Sequence, residues 1–287
     1  MPSARVIAAN PSICSGIVSF RDDVSSLYSG FMANLYRPSA HLFDLDPRDI
    51  TRDDIAFYLE KAKGLGGPVL ELGCGTGRVS VPIAESGSEI WALDLSEEML
   101  AQMRAKIGRL SAPVRRRLHV VHASMAGFDL GRKFDLIIAP YRAFQALSER
   151  PEQEACLESV MGHLSDQGRF IMHVFKPKGA LDESWVQPES FDWKVVDQRT
   201  GKSVSRYERR RRIDLDRQVL HVDLIYRVEG SGREIIEPLA ISYFFEEQIR
   251  SLLQRHVFHI VEEFGYFDGR PIASGPELIF ICGRDNR

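Results

Sequence analysis

Val69-Leu70-Glu71-Leu72-Gly73-Cys74-Gly75-Thr76-Gly77-Arg78 decides how this chain is read. Four strand-type residues run into a turn with glycine at every second position. Helix-type sequence follows from Val79 to about Glu85. Glycine lets the backbone take positive φ and approach a ligand without a Cβ in the way. A turn that ends a parallel strand and opens a helix also presents free N–H groups. One strand later, Trp91-Ala92-Leu93-Asp94-Leu95-Ser96 ends an apolar run in a single acid. A carboxylate at that place suits the two hydroxyls of a ribose. The first half of the chain is therefore expected to bind a nucleoside-containing cofactor.

The spacing narrows the cofactor. The dinucleotide fingerprint is G-x-G-x-x-G and draws a pyrophosphate onto the helix. Here it is G-x-G-x-G, with Glu71 two residues before the first glycine. A carboxylate repels a pyrophosphate and attracts an ammonium or a sulfonium. A nucleotide-cofactor oxidoreductase stays open as an alternative at this point.

Outward from the loop, strand and helix alternate. Strands are expected at Val69–Leu72, Glu89–Leu93, Leu118–His122, Phe134–Ala139 and Arg169–Phe175. Helices are expected at Asp54–Lys63, from the Ser96-Glu97-Glu98 cap to about Arg109, and at Pro151–Leu164. This rhythm predicts an α/β fold with a doubly wound, mostly parallel sheet. After Phe175 the helical period fades. Tyr207–Ile213, Val219–Val228 and Glu234–Phe244 read as antiparallel strands joined by short turns. Phe245–Arg255 returns to helix, and His256–Phe264 and Glu277–Cys282 supply two last strands. Upstream, Asp22–Tyr36 has helical spacing behind a loose arm. The expected division is an N-terminal arm and cap helix over 1–53 and a cofactor-binding core over 54–180. A β insertion over 181–244 and the final helix and strands over 245–287 complete it.

Composition bounds the rest. The 287 residues are 44% hydrophobic and 27% charged, as in an ordinary globular chain. The net charge of −3 gives no general attraction to nucleic acid. Arg115-Arg116-Arg117 reads as a solvated loop, and Arg206 to Arg212 as a charged lid face. Four cysteines, Cys14, Cys74, Cys156 and Cys282, show neither zinc nor disulfide spacing, which favours a reduced, cytoplasmic compartment. No run of about 18 apolar residues is present. No signal peptide is expected.

The loop with its two placed acids resembles motif I of the class I S-adenosylmethionine methyltransferases. The resemblance is sharp over about 54–175, looser over 245–283, and general over the insertion. It implies a seven-stranded Rossmann-like sheet and S-adenosylmethionine as cofactor. The β insertion is similar to the lid of small-molecule methyltransferases, including those acting on amino sugars and glycine. Metal-dependent catechol-type members keep carboxylates past strands four and five, where this chain has Pro140, Tyr141 and His173. No metal is therefore expected. The Asn/Asp-Pro-Pro-aromatic motif of base and glutamine methyltransferases is replaced by Ala139-Pro140-Tyr141-Arg142. A methyltransferase for RNA or protein and a non-catalytic scaffold remain alternatives. The expected partners are a small-molecule acceptor, with no nucleic acid and no membrane, in a monomer or homodimer.

Ligands of open α/β sheets sit outside the carboxyl ends of the strands. That rule, with the resemblance, selects Glu71, Gly73, Cys74, Gly75, Gly77, Asp94, Leu95, Met99, Ser124, Met125 and Pro140 for the cofactor. The family usually keeps an acid near Ser124, and a serine hydroxyl can also accept. In the family the segment before the loop closes over the site, often with tyrosines. That implies Tyr28 at the cofactor and Tyr36 at the acceptor. His173 is the candidate general base, flanked by Tyr141 and Arg142. Arg209 and Arg211, sharing a strand face with Tyr207, are candidates to reach down from the lid to an acidic group on the acceptor.

Overall fold

The structure, a computed structural model, describes residues 36–47, 53–179 and 181–285. Eleven strands form two sheets among these residues. The first sheet contains β1 (Val69–Leu72), β2 (Ile90–Asp94), β3 (Leu118–His122), β4 (Phe134–Ala139) and β5 (Leu164–Phe175). It is completed by β10 (Phe258–Phe264) and β11 (Glu277–Arg284). The order is β10-β11-β5-β4-β1-β2-β3. The five strands from β5 to β3 are parallel, and β11 and β10 run antiparallel at the edge. This is the doubly wound, mostly parallel sheet that the alternation predicts, with the seven-stranded Rossmann-like order that the resemblance implies.

Alternation along β1 sends neighbouring side chains to opposite faces. Leu70 and Leu72 join one apolar core with Leu93, Ile137, Phe170 and Phe280. Helices α5 (Arg150–His163) and α6 (Glu246–Arg255) close that face. Val69 joins the other core with Ile90, Ile138, Ile171 and Ile279. Helices α1 (Asp54–Leu65), α2 (Ser80–Glu85) and α3 (Glu97–Ile107) cover it. Ser96 caps α3 by accepting from the Met99 N–H. Glu71 points to the same face as Val69, at the carboxyl edge, so a carboxyl group is buried where apolar residues fill the rest of the layer.

The second sheet is an antiparallel meander in the order β6-β7-β8-β9: β6 (Gln187–Asp197), β7 (Lys202–Asp214), β8 (Val219–Val228) and β9 (Glu234–Ser242). Trp193, Val204 and Tyr226 pack its inner side with Leu42. Strand β6 is not among the strands expected from the sequence. Its first six residues are exposed and only Trp193 and Asp197 are buried, so it carries no apolar alternation. It is an edge strand with two bulges against β7. The solvated loop expected at Arg115–Arg117 is instead the last turn of a short helix, α4 (Ala112–Arg117). That helix buries no residue, so its sequence has no apolar stripe, and basic residues suit its carboxyl end.

Candidate active site

The turn after β1 is built as its glycines require. Gly73, Gly75 and Gly77 have φ of 68°, 54° and 80°. A Cβ on Gly73 would stand 2.8 Å from the Ala143 Cβ, and one on Gly77 would stand 2.9 Å from Met103. Asp94, ending β2, ties two loops together. Its Oδ2 accepts from the Gly75 N–H at 2.6 Å and its Oδ1 from the Ser96 N–H at 2.8 Å. Burial pushes the Asp94 carboxyl up, and those two N–H groups pull against it. Each oxygen keeps a second lone pair for a ribose hydroxyl.

Glu71 is 2% exposed and accepts from the Ser80 hydroxyl. Burial is the main cause that pushes its carboxyl up to about 8. The neighbouring cation, Arg78, is already committed: its guanidinium donates to both oxygens of buried Asp54, with Nη1–Oδ1 at 2.7 Å. Arg78 also lies 5.2 Å from the Tyr141 ring centroid. A buried carboxyl without a dedicated cation, beside a turn of left-handed glycines and a ribose-type acid, fits a cofactor that carries positive charge and a nucleoside.

These groups form the floor of a cavity of about 1130 Å³. Glu71, Gly73, Cys74, Gly75, Asp94, Leu95, Met99, Ser124, Met125, Pro140, Tyr141, Arg142 and Tyr36 all line it. Gly77 does not; it supports the floor against Met103. Tyr28 lies outside the described residues. Inner residues of β7, β8 and β9 make the roof, among them Arg206, Glu208, Arg210, Leu224, Tyr226 and Leu239. The Tyr36 hydroxyl is raised by burial and then by the neighbouring Tyr226 and Tyr141 phenols. These three rings bring the strap before α1, the roof and the loop after β4 to one place.

Two expectations need correction. His173 is 0% exposed and does not line the cavity. Its Nε2 lies 3.0 Å from Glu277 Oε2 and its ring meets Phe267 edge-on at 4.9 Å. It is thus sealed between β11 and the apolar layer and cannot act on an acceptor. Arg209 and Arg211 are absent from the cavity wall as well. Each pairs at 2.7 Å with Asp223 of β8, which is 3% exposed on the opposite face of the lid. The alternation expected along β7 holds only as far as Arg210, with Arg206, Glu208 and Arg210 turned inward; a bulge between Arg210 and Arg212 breaks it, and Arg212 falls opposite His221. Periodicity sorts a strand into two faces and does not say which one is covered.

Several cavity residues escaped the sequence reading. Arg206 is held by Asp46 and Asp192, each at 2.7 Å, and lies 4.9 Å from the Trp193 ring centroid. Arg210 donates to Glu208 at 2.6 Å and lies 5.3 Å from the Trp185 ring centroid. Lys176, Lys178, Arg270 and Tyr266 join Arg210 and Trp185 in the lining. Glu277 is 0% exposed and takes Arg142 Nη2 on Oε1 at 2.6 Å as well as His173 on Oε2. Burial would raise the Glu277 carboxyl, but His173 and Arg142 outweigh it and hold it below its ordinary value. No local motif marks Glu277, because its partners lie 104 and 135 residues away.

Comparison with known proteins agrees with this geometry. Residues 69–168, the stretch from β1 into β5, match the family model described as a methyltransferase domain. That stretch is a methyltransferase domain, and the chain is an S-adenosylmethionine-dependent methyltransferase. It is 28% identical over 239 residues to dTDP-3-amino-3,6-dideoxy-alpha-D-glucopyranose N,N-dimethyltransferase of Streptomyces fradiae, covering 78% of this chain and 85% of that one. It is 27% identical over 157 residues to dTDP-3-amino-3,4,6-trideoxy-alpha-D-glucopyranose N,N-dimethyltransferase of Streptomyces venezuelae, covering 53% and 59% of the two chains. The solved structure of the CcbJ methyltransferase from Streptomyces caelestis shares the fold, with a TM-score of 0.73 at 22% identity over 88% of this chain and 97% of that one. Among the described residues no helix is long and apolar enough to cross a membrane.

Proposed function

We propose that this methyltransferase acts on the amino group of a small acceptor with an anionic tail, of the kind found in a nucleoside-diphosphate amino sugar. The observation that carries the reading is the cavity. It runs from Asp94 and Glu71 on the floor to Arg210, Lys176, Lys178 and Arg270, with Trp185 and Tyr266 among them. Cations beside half-buried aromatic rings at a cavity wall suit phosphate groups followed by a base. Two relatives whose names specify dTDP-amino sugars support the same reading. Outside the cavity, Arg209, Arg211 and Arg212 of β7 are each paired with a carboxylate of this chain, which favours a small acceptor over a nucleic acid.

S-adenosylmethionine supplies a sulfonium-activated methyl group that passes to the acceptor by in-line displacement. Asp94 and the glycine turn hold the nucleoside end, and Glu71 favours the positive charge. Leu220, Val222, Leu224 and Leu239 of the roof exclude water. Tyr36, Tyr141 and Tyr226 orient the acceptor nitrogen. Alignment and exclusion of water supply the rate. The test is incubation with S-adenosylmethionine and a nucleoside-diphosphate amino sugar beside its hydroxyl counterpart. Mass spectrometry is expected to show one or two added methyl groups on the amine. Transfer to the hydroxyl compound alone would overturn the amine assignment.

A further inference from the structure

The loop after β4 is strained where it meets the cavity. Tyr141 and Arg142 occupy consecutive left-handed positions, at φ 49° and 66°. Residues with a Cβ stay there only when their surroundings hold them. Two contacts do so. The Arg78 guanidinium lies over the Tyr141 ring, and Arg142 is gripped by Glu277 through Nη2–Oε1 at 2.6 Å and Nε–Oε2 at 3.4 Å. Arg78 is itself fixed by Asp54, so the floor side of the grip is rigid. On the other side, Glu277 is a fully buried carboxylate of β11 whose second oxygen is engaged by His173 of β5. His173 holds the Glu277 carboxylate in place, and Glu277 in turn holds Arg142. The loop they fix presents Tyr141 between Arg78 of the floor, the Tyr36 phenol of the strap and the Tyr226 phenol of the roof.

We propose that Glu277 is a positioning residue for methyl transfer, which locks the Tyr141–Arg142 turn from the last strand of the sheet and so sets the wall against which the acceptor is aligned. His173 serves the same anchor. The part of this inference that concerns turnover rests on the amine-acceptor reading; the part that concerns the loop does not.

The experiment uses Glu277→Gln, Glu277→Asp and Arg142→Lys in the full chain. Loop order is read by hydrogen exchange of the Ala143 and Gln145 amides, which donate to Pro140 and Arg142 carbonyls, with S-adenosylhomocysteine bound. Turnover is read with the nucleoside-diphosphate amino sugar. In Glu277→Gln those two amides are expected to exchange about tenfold faster or more, while amides of β1 and β4 keep their protection. S-adenosylhomocysteine affinity should stay within about threefold, and kcat should fall by roughly tenfold or more with KM little changed. Glu277→Asp keeps the charge and should recover part of both losses. If Glu277→Gln loosens the whole protein, Arg142→Lys, which leaves the Glu277–His173 contact, must reproduce the local effect. Unchanged loop exchange in both variants would overturn the proposal. So would an unchanged kcat in a variant whose loop amides are freed. A wild-type protein that ignores the amino sugar would overturn the acceptor reading, while the exchange data would still decide whether Glu277 anchors the turn.

Discussion

Glu71 is the residue at which fold and ligand chemistry meet most directly. Its folded value of about 8 stands above the ordinary 4.5. Between those two values the unfolded chain has lost a proton that the folded one keeps. The Glu71 contribution to stability therefore falls as pH rises from about 4.5 to about 8 and is flat outside that window. A bound cation reverses the preference by favouring the carboxylate. S-adenosylmethionine binding near pH 6.5 is thus expected to release close to one proton, and its affinity to rise with pH over the same window. Calorimetry in buffers of differing ionisation enthalpy reads the proton directly. In Glu71→Gln the release should vanish. A wild-type binding enthalpy independent of the buffer would show that Glu71 is already ionised or is not reached by the positive charge.

At the scale of elements, β7 is the informative strand. It packs five arginines into seven residues from Arg206 to Arg212, together with Tyr207 and Glu208. Asp223 of β8 gathers Arg209 and Arg211 on the outer face, and a bulge between Arg210 and Arg212 makes Arg211 the extra residue. Arg206 and Arg210 are left on the inner face, one braced by two aspartates and the other against Trp185. Steady-state kinetics with an anionic acceptor should separate the faces. Arg209→Ala is expected to leave kcat and KM within about twofold. Arg210→Ala should raise the acceptor KM by roughly tenfold, the loss of a charge-assisted contact. The reverse pattern would place the acceptor outside the cavity described here.

At the scale of the whole molecule, the two sheets share one cavity and are joined by a short strap. The segment 36–46 contains a 3₁₀ turn at Ala40–Leu45. Asp44 binds the Thr76 hydroxyl at 2.7 Å and Lys106 at 2.7 Å, both on the cofactor side. Asp46 binds Arg206, and Glu237 of β9 takes the Ser39 hydroxyl and the Tyr36 N–H, all on the lid side. Asp94 takes the Gly75 and Ser96 N–H groups and Glu71 the Ser80 hydroxyl, all within the cofactor-binding core. Replacing residues 187–242 by a short linker is therefore expected to keep S-adenosylhomocysteine affinity within about tenfold while removing methyl transfer. Calorimetry and turnover of the excised protein check this. Lost cofactor binding in a folded excision variant would show that the strap needs the lid to hold the floor.

The sequence by itself determined everything that depends on neighbours along the chain. Strand β1, the glycine turn, Asp94 at the end of β2 and the β/α rhythm follow from residue period and turn chemistry, which act over a few positions. The cofactor floor was legible for that reason. What only the tertiary structure decided involves partners far apart in the chain. The face of β7 turned inward depends on which side the strap and the first sheet cover. The fate of His173 depends on Glu277, 104 residues later, which converts a candidate base into a buried anchor. Strand β6 exists because β7 offers an open edge, not because its own residues alternate. Local patterns record the conformation of a segment, whereas burial and charge pairing are settled only when distant segments meet.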